Sequence, residues 1–203
     1  MLHAYAQGIF PMAENAEDPE LFWVDPKRRG ILPLDGFHIS RSLRRFLHSH
    51  DITATLNCAF DRVLHHCADR EETWINSTLH ANYTALNEMG CCHSLEVWDN
   101  GDLIGGVFGI AIGGVFCGES MFSCRTNGSK VALAFLTTHL RNCGFGLFDT
   151  QFITDHLQTL GALEISRAQY RSRLEEALAL PAAITDQPLP NVHNVLQRRT
   201  QTS

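Results

Sequence analysis

A short apolar segment, Phe148-Asp149-Thr150-Gln151-Phe152, carries a carboxylate and an amide two residues apart. In an extended strand, residues two apart point to the same face, so Asp149 and Gln151 are predicted to project side by side. A buried carboxylate beside an amide is unfavourable unless both are hydrogen-bonded. Two such acceptors can orient an attacking amine, which is the chemistry that we expect here. The alternative is that Asp149 caps a turn after Gly144-Phe145-Gly146.

A second acidic side chain, Glu119, lies between a glycine and apolar residues in Gly118-Glu119-Ser120-Met121-Phe122-Ser123. A carboxylate in these surroundings is expected to be partly buried and paired. It can hold a cationic amine or a ribose hydroxyl, or it can cap a loop. Trp23 and Trp74 are candidates for stacking on a nucleobase, worth about 1–3 kcal/mol per base. The alternative for both rings is a place in the core.

The net charge of −6 hides a basic segment near the N-terminus. Between residues 27 and 50, one acid stands against six cations: Lys27, Arg28, Arg29, Arg41, Arg44 and Arg45. Ser40 is predicted to cap a short helix in which Arg41, Arg44 and Arg45 share one face. Such a face can neutralise phosphates, or it is simply a solvated surface.

The composition indicates a packed protein with one large domain, or one domain plus a small lobe. Its 203 residues are 44% hydrophobic and 19% charged, and no apolar run is long enough to span a bilayer. The seven cysteines are odd in number and form no C-x-x-C pair, which argues against a disulfide framework and a zinc ribbon. We therefore expect a reducing cytoplasm. His65-His66-Cys67 lies in a predicted helix, where neighbours point apart, so no metal site is expected.

The elements that must position these residues form an α+β pattern. Helices are predicted over 59–68, from the Asn76 cap to just before residue 90, and over 129–143. A glycine-rich antiparallel meander is predicted over 93–117, and the strand that carries the Asp/Gln pair over 147–153. A short helix follows Thr154, and Ser166 opens a capping box for a last helix.

The predicted organisation has three parts. Residues 1–55, with only a short helix and a strand expected, form a small lobe or an embellishment of the main core. Residues 56–180 form a mixed, mostly antiparallel sheet flanked by helices. Residues 181–203 turn polar and contain proline, which is typical of a loose tail.

Several strings occur together in one order along the chain. They are Gly8-Ile9-Phe10-Pro11, Phe22-Trp23-Val24-Asp25-Pro26, His38-Ile39-Ser40-Arg41-Ser42-Leu43-Arg44-Arg45, Thr73-Trp74-Ile75, His93-Ser94-Leu95-Glu96-Val97-Trp98, Gly118-Glu119-Ser120-Met121-Phe122-Ser123 and Asp149-Thr150-Gln151. In these strings and their order, the chain resembles the leucyl/phenylalanyl-tRNA–protein transferase family from residue 4 to about residue 178. One departure is Phe22-Trp23, where a Trp-Trp pair is common in the family.

The resemblance implies a GNAT-type acyltransferase core with a small N-terminal lobe. It also implies transfer of Leu or Phe, and Met less efficiently, from aminoacyl-tRNA to the N-terminus of proteins that begin with Arg or Lys. The modified protein is then marked for degradation by an N-degron pathway. No metal, organic cofactor or membrane is expected.

The resemblance also places the candidate site residues. Gln151 is expected to accept a hydrogen bond from the attacking amine, while Asp149 holds Gln151 and draws positive charge away. Glu119 is expected to bind either the cationic N-terminal residue or the donor. The remaining predicted contacts are Trp23 and Trp74 for the terminal adenosine, Met121, Leu136 and Phe148 for the Leu or Phe side chain, and Arg41, Arg44 and Arg45 for tRNA.

Two other functions stay open. A GNAT acetyltransferase that uses acetyl coenzyme normally has a Q/R-x-x-G-x-G/A loop between a strand and a helix, and only Arg125-Thr126-Asn127-Gly128 stands at that place. A non-enzymatic tRNA-binding module would use the basic segment alone, and would leave Asp149, Gln151 and Glu119 unexplained.

Overall fold

The computed structural model describes residues 1–70 and 73–197, arranged as a mixed sheet with helices on both faces. The strands are β1 (Phe10–Met12), β2 (Phe22–Val24), β3 (Arg28–Ile31), β4 (Ile52–Leu56), β5 (Cys92–Asp99), β6 (Asp102–Ile112), β7 (Val115–Ser123), β8 (Leu147–Gln151) and β9 (Leu163–Ser166). The helices are α1 (Leu2–Ala6), α2 (Arg41–Ser49), α3 (Phe60–Ala68), α4 (Ser77–Glu88), α5 (Gly128–Asn142), α6 (Asp155–Thr159), α7 (Arg167–Leu178) and α8 (Val192–Leu196). The predicted α+β class is confirmed.

The main sheet has seven strands in the order β4-β5-β6-β7-β8-β3-β9. Every neighbouring pair is antiparallel except β7 and β8, which run parallel. The meander β5-β6-β7 confirms the predicted hairpins. Its first turn places Asn100 and Gly101 at φ 51° and 85°, the left-handed pair that a two-residue hairpin turn requires.

Strands β7 and β8 are paired at their first three residues and separate beyond them. This separation creates the space for a site. Their register runs from Val115 opposite Leu147 to Cys117 opposite Asp149. Just beyond, β7 shifts register against β6, so that Gly118 lies opposite Gly109 while Ser120 lies opposite Phe108. Glu119 is the extra residue of this bulge, and a bulge bends its strand. The two strands therefore diverge at residues 118–121 and 149–151.

Two apolar layers cover the sheet, one on each face. On one face the helices α2, α5 and α8 pack, with Val131, Leu43 and Val195 buried in one cluster. On the other face α1, α3, α4 and α7 pack, with Tyr83 and Tyr170 among the buried residues. The residues of β8 alternate between these layers, as a strand that is covered on both faces must.

Three predicted helix starts are confirmed by their caps. The side chains of Ser40, Asn76 and Ser166 accept hydrogen bonds from backbone N–H groups three residues later. At Ser166 the predicted capping box with Gln169 is present in both directions. Each such cap stabilises its helix by about 1 kcal/mol.

The N-terminal segment differs from the expected lobe. Residues 10–24 form a separate two-stranded sheet, β1-β2, but β3 lies inside the main sheet between β8 and β9. Strand β4 forms the sheet edge, and α2 packs on the main core. The expectation of only a short helix and a strand before residue 55 is wrong. The topology therefore favours assigning residues 28–55 to the main core and not to a separate lobe.

The expected loose tail is wrong for residues 181–197. Ile184 and Val195 are buried in the main core, and α8 begins at the cap Asn191. His139 on α5 also bonds the Ile184 carbonyl oxygen at 2.7 Å. The polar, proline-containing composition of this segment does not show that a few of its apolar residues are buried in the core. Residues 198–203 of the predicted tail lie outside the described part of the chain. Within the described part, no helix is long and apolar enough to cross a membrane.

Candidate active site

A buried ion pair lies beneath the end of β8. Asp149 is fully buried, and Arg29 on the neighbouring strand β3 binds it through two hydrogen bonds, Nε to Oδ1 at 2.9 Å and Nη2 to Oδ2 at 2.6 Å. The Tyr170 hydroxyl donates to Oδ2 at 2.8 Å. Burial alone would lower the pKa of Arg29, but the hydrogen bonds and charge of Asp149 outweigh it and raise that pKa. The carboxylate is therefore neutralised by a guanidinium.

The Arg29 guanidinium connects distant parts of the chain. It lies between the rings of Phe10 and Tyr170, 4.6 and 4.4 Å from their centres, and Nη1 donates to the Gly8 carbonyl oxygen at 2.9 Å. The sequence pattern had counted Arg29 among the surface cations of the basic segment, and this placement is wrong. Arg28 does lie at the surface, where it pairs with Glu164.

Gln151 ends the strand in a left-handed conformation, with φ 63°. Its backbone N–H donates to Asp149 Oδ1 at 2.8 Å, and its side-chain Nε2 donates to Glu119 Oε1 at 2.8 Å. The predicted side-by-side projection from an extended strand is therefore wrong in its geometry. Asp149 contacts the backbone of Gln151, and Glu119 holds its side chain. The alternative, a cap on the turn after Gly144-Phe145-Gly146, is wrong too, because Asp149 lies inside β8 and bonds a backbone N–H two residues later.

Glu119 lies in the β7 bulge and is buried. Besides Gln151, the Tyr83 hydroxyl donates to its Oε2 atom at 2.5 Å. Burial raises the pKa of Glu119 to about 7, although the hydrogen bond from Tyr83 opposes the rise. Both protonation states are thus populated near neutral pH. The expectation of a partly buried, paired carboxylate is confirmed.

A cavity of about 80 Å³, which we call the β7–β8 cavity, opens where the two strands diverge. It is lined by Val107, Gly118, Glu119, Ser120, Met121, Leu133, Phe148, Thr150 and Leu157. Met121 and Phe148 had been predicted to line a side-chain pocket. Leu136 had been predicted too, but it is buried in the main core, and Leu133, on the preceding turn of α5, lines the cavity instead. The two leucines share a helix face, so the sequence pattern does not separate them.

The two candidate stacking residues differ in exposure. Trp23 on β2 is 51% exposed, beside the similarly exposed Phe22. Trp74 is half-buried and packs edge-to-face on Tyr83, with ring centres 6.5 Å apart. It also lines a separate cavity of about 590 Å³ with Glu14 and other residues. Through Tyr83, the Trp74 ring is connected to Glu119.

The predicted basic helix face is present on α2. Arg41 and Arg45 are exposed, while Arg44 is half-buried and donates to the Leu196 carbonyl oxygen at 3.5 Å. Helix α2 packs on the same face of the sheet as α5, which supplies Leu133 to the β7–β8 cavity.

Comparison with known proteins gives a consistent result. The model of the family described as "Leucyl/phenylalanyl-tRNA protein transferase" matches residues 31–175, and that of its N-terminal domain matches residues 1–27. Relatives named leucyl/phenylalanyl-tRNA–protein transferase include one from Ruegeria sp. (strain TM1040), 57% identical over 100% of this chain and 97% of the relative. Another, from Dinoroseobacter shibae, is 58% identical over 94% of this chain and 85% of the relative.

A solved structure is similar only at low level. It is described as L-PGS from Bacillus licheniformis and covers 78% of this chain and 54% of its own, with 12% identity and a TM-score of 0.43. A similarity this low carries no argument. The family models and the full-length relatives are decisive by themselves, and on their evidence the chain belongs to the leucyl/phenylalanyl-tRNA–protein transferase family.

Proposed function

We propose that this protein transfers Leu or Phe, and Met less efficiently, from aminoacyl-tRNA to the N-terminus of proteins that begin with Arg or Lys. The modified proteins enter an N-degron pathway of degradation in the cytoplasm. The observation that carries the proposal is the apolar β7–β8 cavity, whose lining residue Glu119 accepts a hydrogen bond from the Gln151 amide, in a chain that belongs to this family. The separation of two parallel strands at the cavity supports a GNAT-type core that includes β3 and β4, so that only residues 1–27 stand outside the main sheet as an N-terminal lobe.

In this proposal the donor side chain fills the β7–β8 cavity. Its walls are largely apolar, with Met121 and Phe148 on the two diverging strands and Leu133 on α5. A pocket of this kind separates side chains by about 1–3 kcal/mol per methylene. Such weak discrimination fits a donor range of Leu, Phe and, less efficiently, Met.

Gln151 is proposed to orient the acceptor amine. Because its Nε2 atom is held by Glu119, its Oε1 atom is the one that faces the amine and accepts a hydrogen bond from it. The amine nitrogen attacks the ester carbonyl carbon, the new C–N bond forms, and the bond to the ribose oxygen breaks. The proton lost by the amine ends on that ribose oxygen, so that the charges balance.

The magnitudes favour positioning over strong base catalysis. An α-amino group has a pKa near 8, so freeing its lone pair at pH 7 costs only about 1 kcal/mol. Juxtaposing the amine and the activated ester contributes about 7–11 kcal/mol. The ion-paired Asp149 is then a positioning residue, which fixes the Gln151 backbone through its N–H, and it need not accept a proton.

The remaining predicted contacts are assigned to the two substrates. Glu119 contributes negative charge close to the cationic N-terminal residue, and Trp23 and Trp74 are the candidate rings for the terminal adenosine. Arg41 and Arg45 have exposed guanidinium groups for tRNA phosphates, and Arg44 contributes from a half-buried position.

The test is a transfer assay with labelled Phe-tRNA and two peptides that differ only in their first residue, Arg or Ala. We expect labelling of the Arg-starting peptide only. Gln151→Ala is expected to lower kcat by at least tenfold while the melting temperature stays within a few degrees. Labelling from acetyl coenzyme would instead favour an acetyltransferase, and tRNA binding without transfer would favour a binding module.

A further inference from the structure

A cavity of about 430 Å³ adjoins the β7–β8 cavity, and we call it the Arg70 cavity. It is lined by His66, Asp69, Arg70, Met121, Phe122, Ser123, Ser129 and His156. Met121 lines the β7–β8 cavity as well, and Arg70 also lines the cavity that contains Trp74. The Arg70 cavity therefore lies between the two cavities to which parts of the donor are assigned.

Arg70 brings a positive charge to the wall of this cavity. Its side chain is exposed, and its Nη2 atom donates a hydrogen bond to the Met121 carbonyl oxygen, which holds the guanidinium at the wall. Asp69 lines the cavity too, but in the described part of the chain neither residue forms an ion pair. A guanidinium has several N–H donors, so one bond to a carbonyl oxygen leaves others for an oxyanion such as a phosphate.

The first turn of α5 adds a second cation, Lys130, which follows the lining residue Ser129. Burial, and next the positive charge of Lys130, lower the pKa of His156 in the cavity wall. Lys130 therefore lies near this cavity, and it forms no ion pair within the described residues. Because His156 is mainly neutral at pH 7, the permanent positive charge at the cavity comes from Arg70 and Lys130.

We propose that the Arg70 cavity binds the phosphate on the 5′ side of the terminal adenosine of the donor tRNA. The proposal rests on the proposed function, which places the adenine base on Trp74 and the Leu or Phe side chain in the β7–β8 cavity. One ribose carries the base, the aminoacyl ester and the 5′ phosphate. Since the first two are assigned to the cavities on either side, the cationic cavity between them is left for the third.

The charge of the Arg70 cavity argues against the acceptor protein as its occupant. An acceptor that begins with Arg or Lys carries a cationic side chain next to its α-amino group. Arg70 and Lys130 repel these charges, whereas Glu119 on the other side of Met121 attracts them. A phosphate oxygen, by contrast, accepts charge-assisted hydrogen bonds from a guanidinium and from an ammonium group.

The test uses two competitors of Phe-tRNA in the transfer assay. One is adenosine that carries phenylalanine on its 3′ position through an amide, and the other is the same compound with a 5′-phosphate. Because an amide is not an activated ester, neither compound is a donor. With the wild type, the 5′-phosphate is expected to lower the inhibition constant about tenfold, the size of one charge-assisted hydrogen bond.

In the double variant Arg70→Gln, Lys130→Gln, this gain should fall to about twofold or less. The inhibition constant of the compound without phosphate should stay at its wild-type value. Arg70→Lys keeps the charge and should retain most of the gain. Arg141→Gln is the matched control, since Arg141 is an exposed cation in the last turn of the same helix α5, and it should retain the whole gain.

Three results would overturn the proposal. A 5′-phosphate that does not improve inhibition of the wild type would mean that no phosphate binds beside the adenosine. A gain that survives in the double variant would place the phosphate on other residues. A higher KM for the Arg-starting peptide in the double variant, with unchanged inhibition constants, would assign the cavity to the acceptor. Failure of the proposed function is visible separately, because the wild type would then transfer nothing from Phe-tRNA.

Discussion

Removing Arg29 while keeping Asp149 tests whether the buried ion pair holds this site together. The Arg29→Met variant retains an apolar stem of similar length but removes the cation, leaving the carboxylate with the neutral partners Tyr170, Cys117 and the Gln151 N–H. Breaking a buried pair in this way typically costs about 3–5 kcal/mol.

Urea unfolding at pH 7 measures this loss in the free energy of unfolding. Arg28→Met is the matched control, since Arg28 is the exposed neighbour whose pair with Glu164 is worth at most about 1 kcal/mol. The double variant Arg29→Met, Asp149→Asn should recover much of the loss, because it removes the unpaired charge. A loss below about 1 kcal/mol for Arg29→Met would refute the reasoning.

Three further predictions concern Glu119, Leu133 and the basic face of α2. Because the pKa of Glu119 is raised to about 7, its contribution to stability is present below pH 4.5 and is lost as the pH rises through 7. Chemical unfolding should show a decline of about 3 kcal/mol over that interval in the wild type and not in Glu119→Gln. Ionised Glu119 also orients the Gln151 amide, so kcat should rise through pH 7 in the wild type and lack this step in Glu119→Gln. Leu133→Phe narrows the β7–β8 cavity and should lower kcat/KM for Phe-tRNA more than for Leu-tRNA in single-turnover assays; equal losses would place the donor side chain elsewhere. The variant Arg41→Glu, Arg45→Glu should weaken tRNA binding and flatten its salt dependence, and unchanged filter-binding curves would leave that face as a solvated surface.

Local signals in the sequence predicted local structure well. The caps at Ser40, Asn76 and Ser166 were predictable because a cap depends on residues within one turn of the helix. The hairpin at Asn100-Gly101 was predictable because its left-handed turn selects these residue types. Met121 and Phe148, which the sequence analysis names as pocket walls, do line the β7–β8 cavity, and their role toward a donor side chain stays a prediction.

Contacts between distant segments were not predictable in this way. Arg29 and Asp149 are 120 residues apart, and nothing in the basic segment marks one arginine for burial. Their meeting depends on β3 entering the sheet beside β8, a topology that the pattern of a four-residue strand does not encode. Helical periodicity also does not distinguish Leu133 from Leu136. It shows which face of a helix is apolar, but not which residue on that face lines the cavity.

Strand β8 contributes three things to the candidate site: cavity-lining residues, a buried carboxylate and the Gln151 amide. Because alternate residues face opposite layers, Phe148 and Thr150 line the β7–β8 cavity while Asp149 points into the interior. There Arg29 cancels its charge, so the carboxylate can fix the Gln151 backbone without becoming a strong base in the site. Left-handed geometry at Gln151 then turns its amide to Glu119 across the gap between the strands. An activated ester requires an amine held in place more than it requires a base, and this arrangement of a neutralised carboxylate, an oriented amide and an apolar cavity suits that requirement.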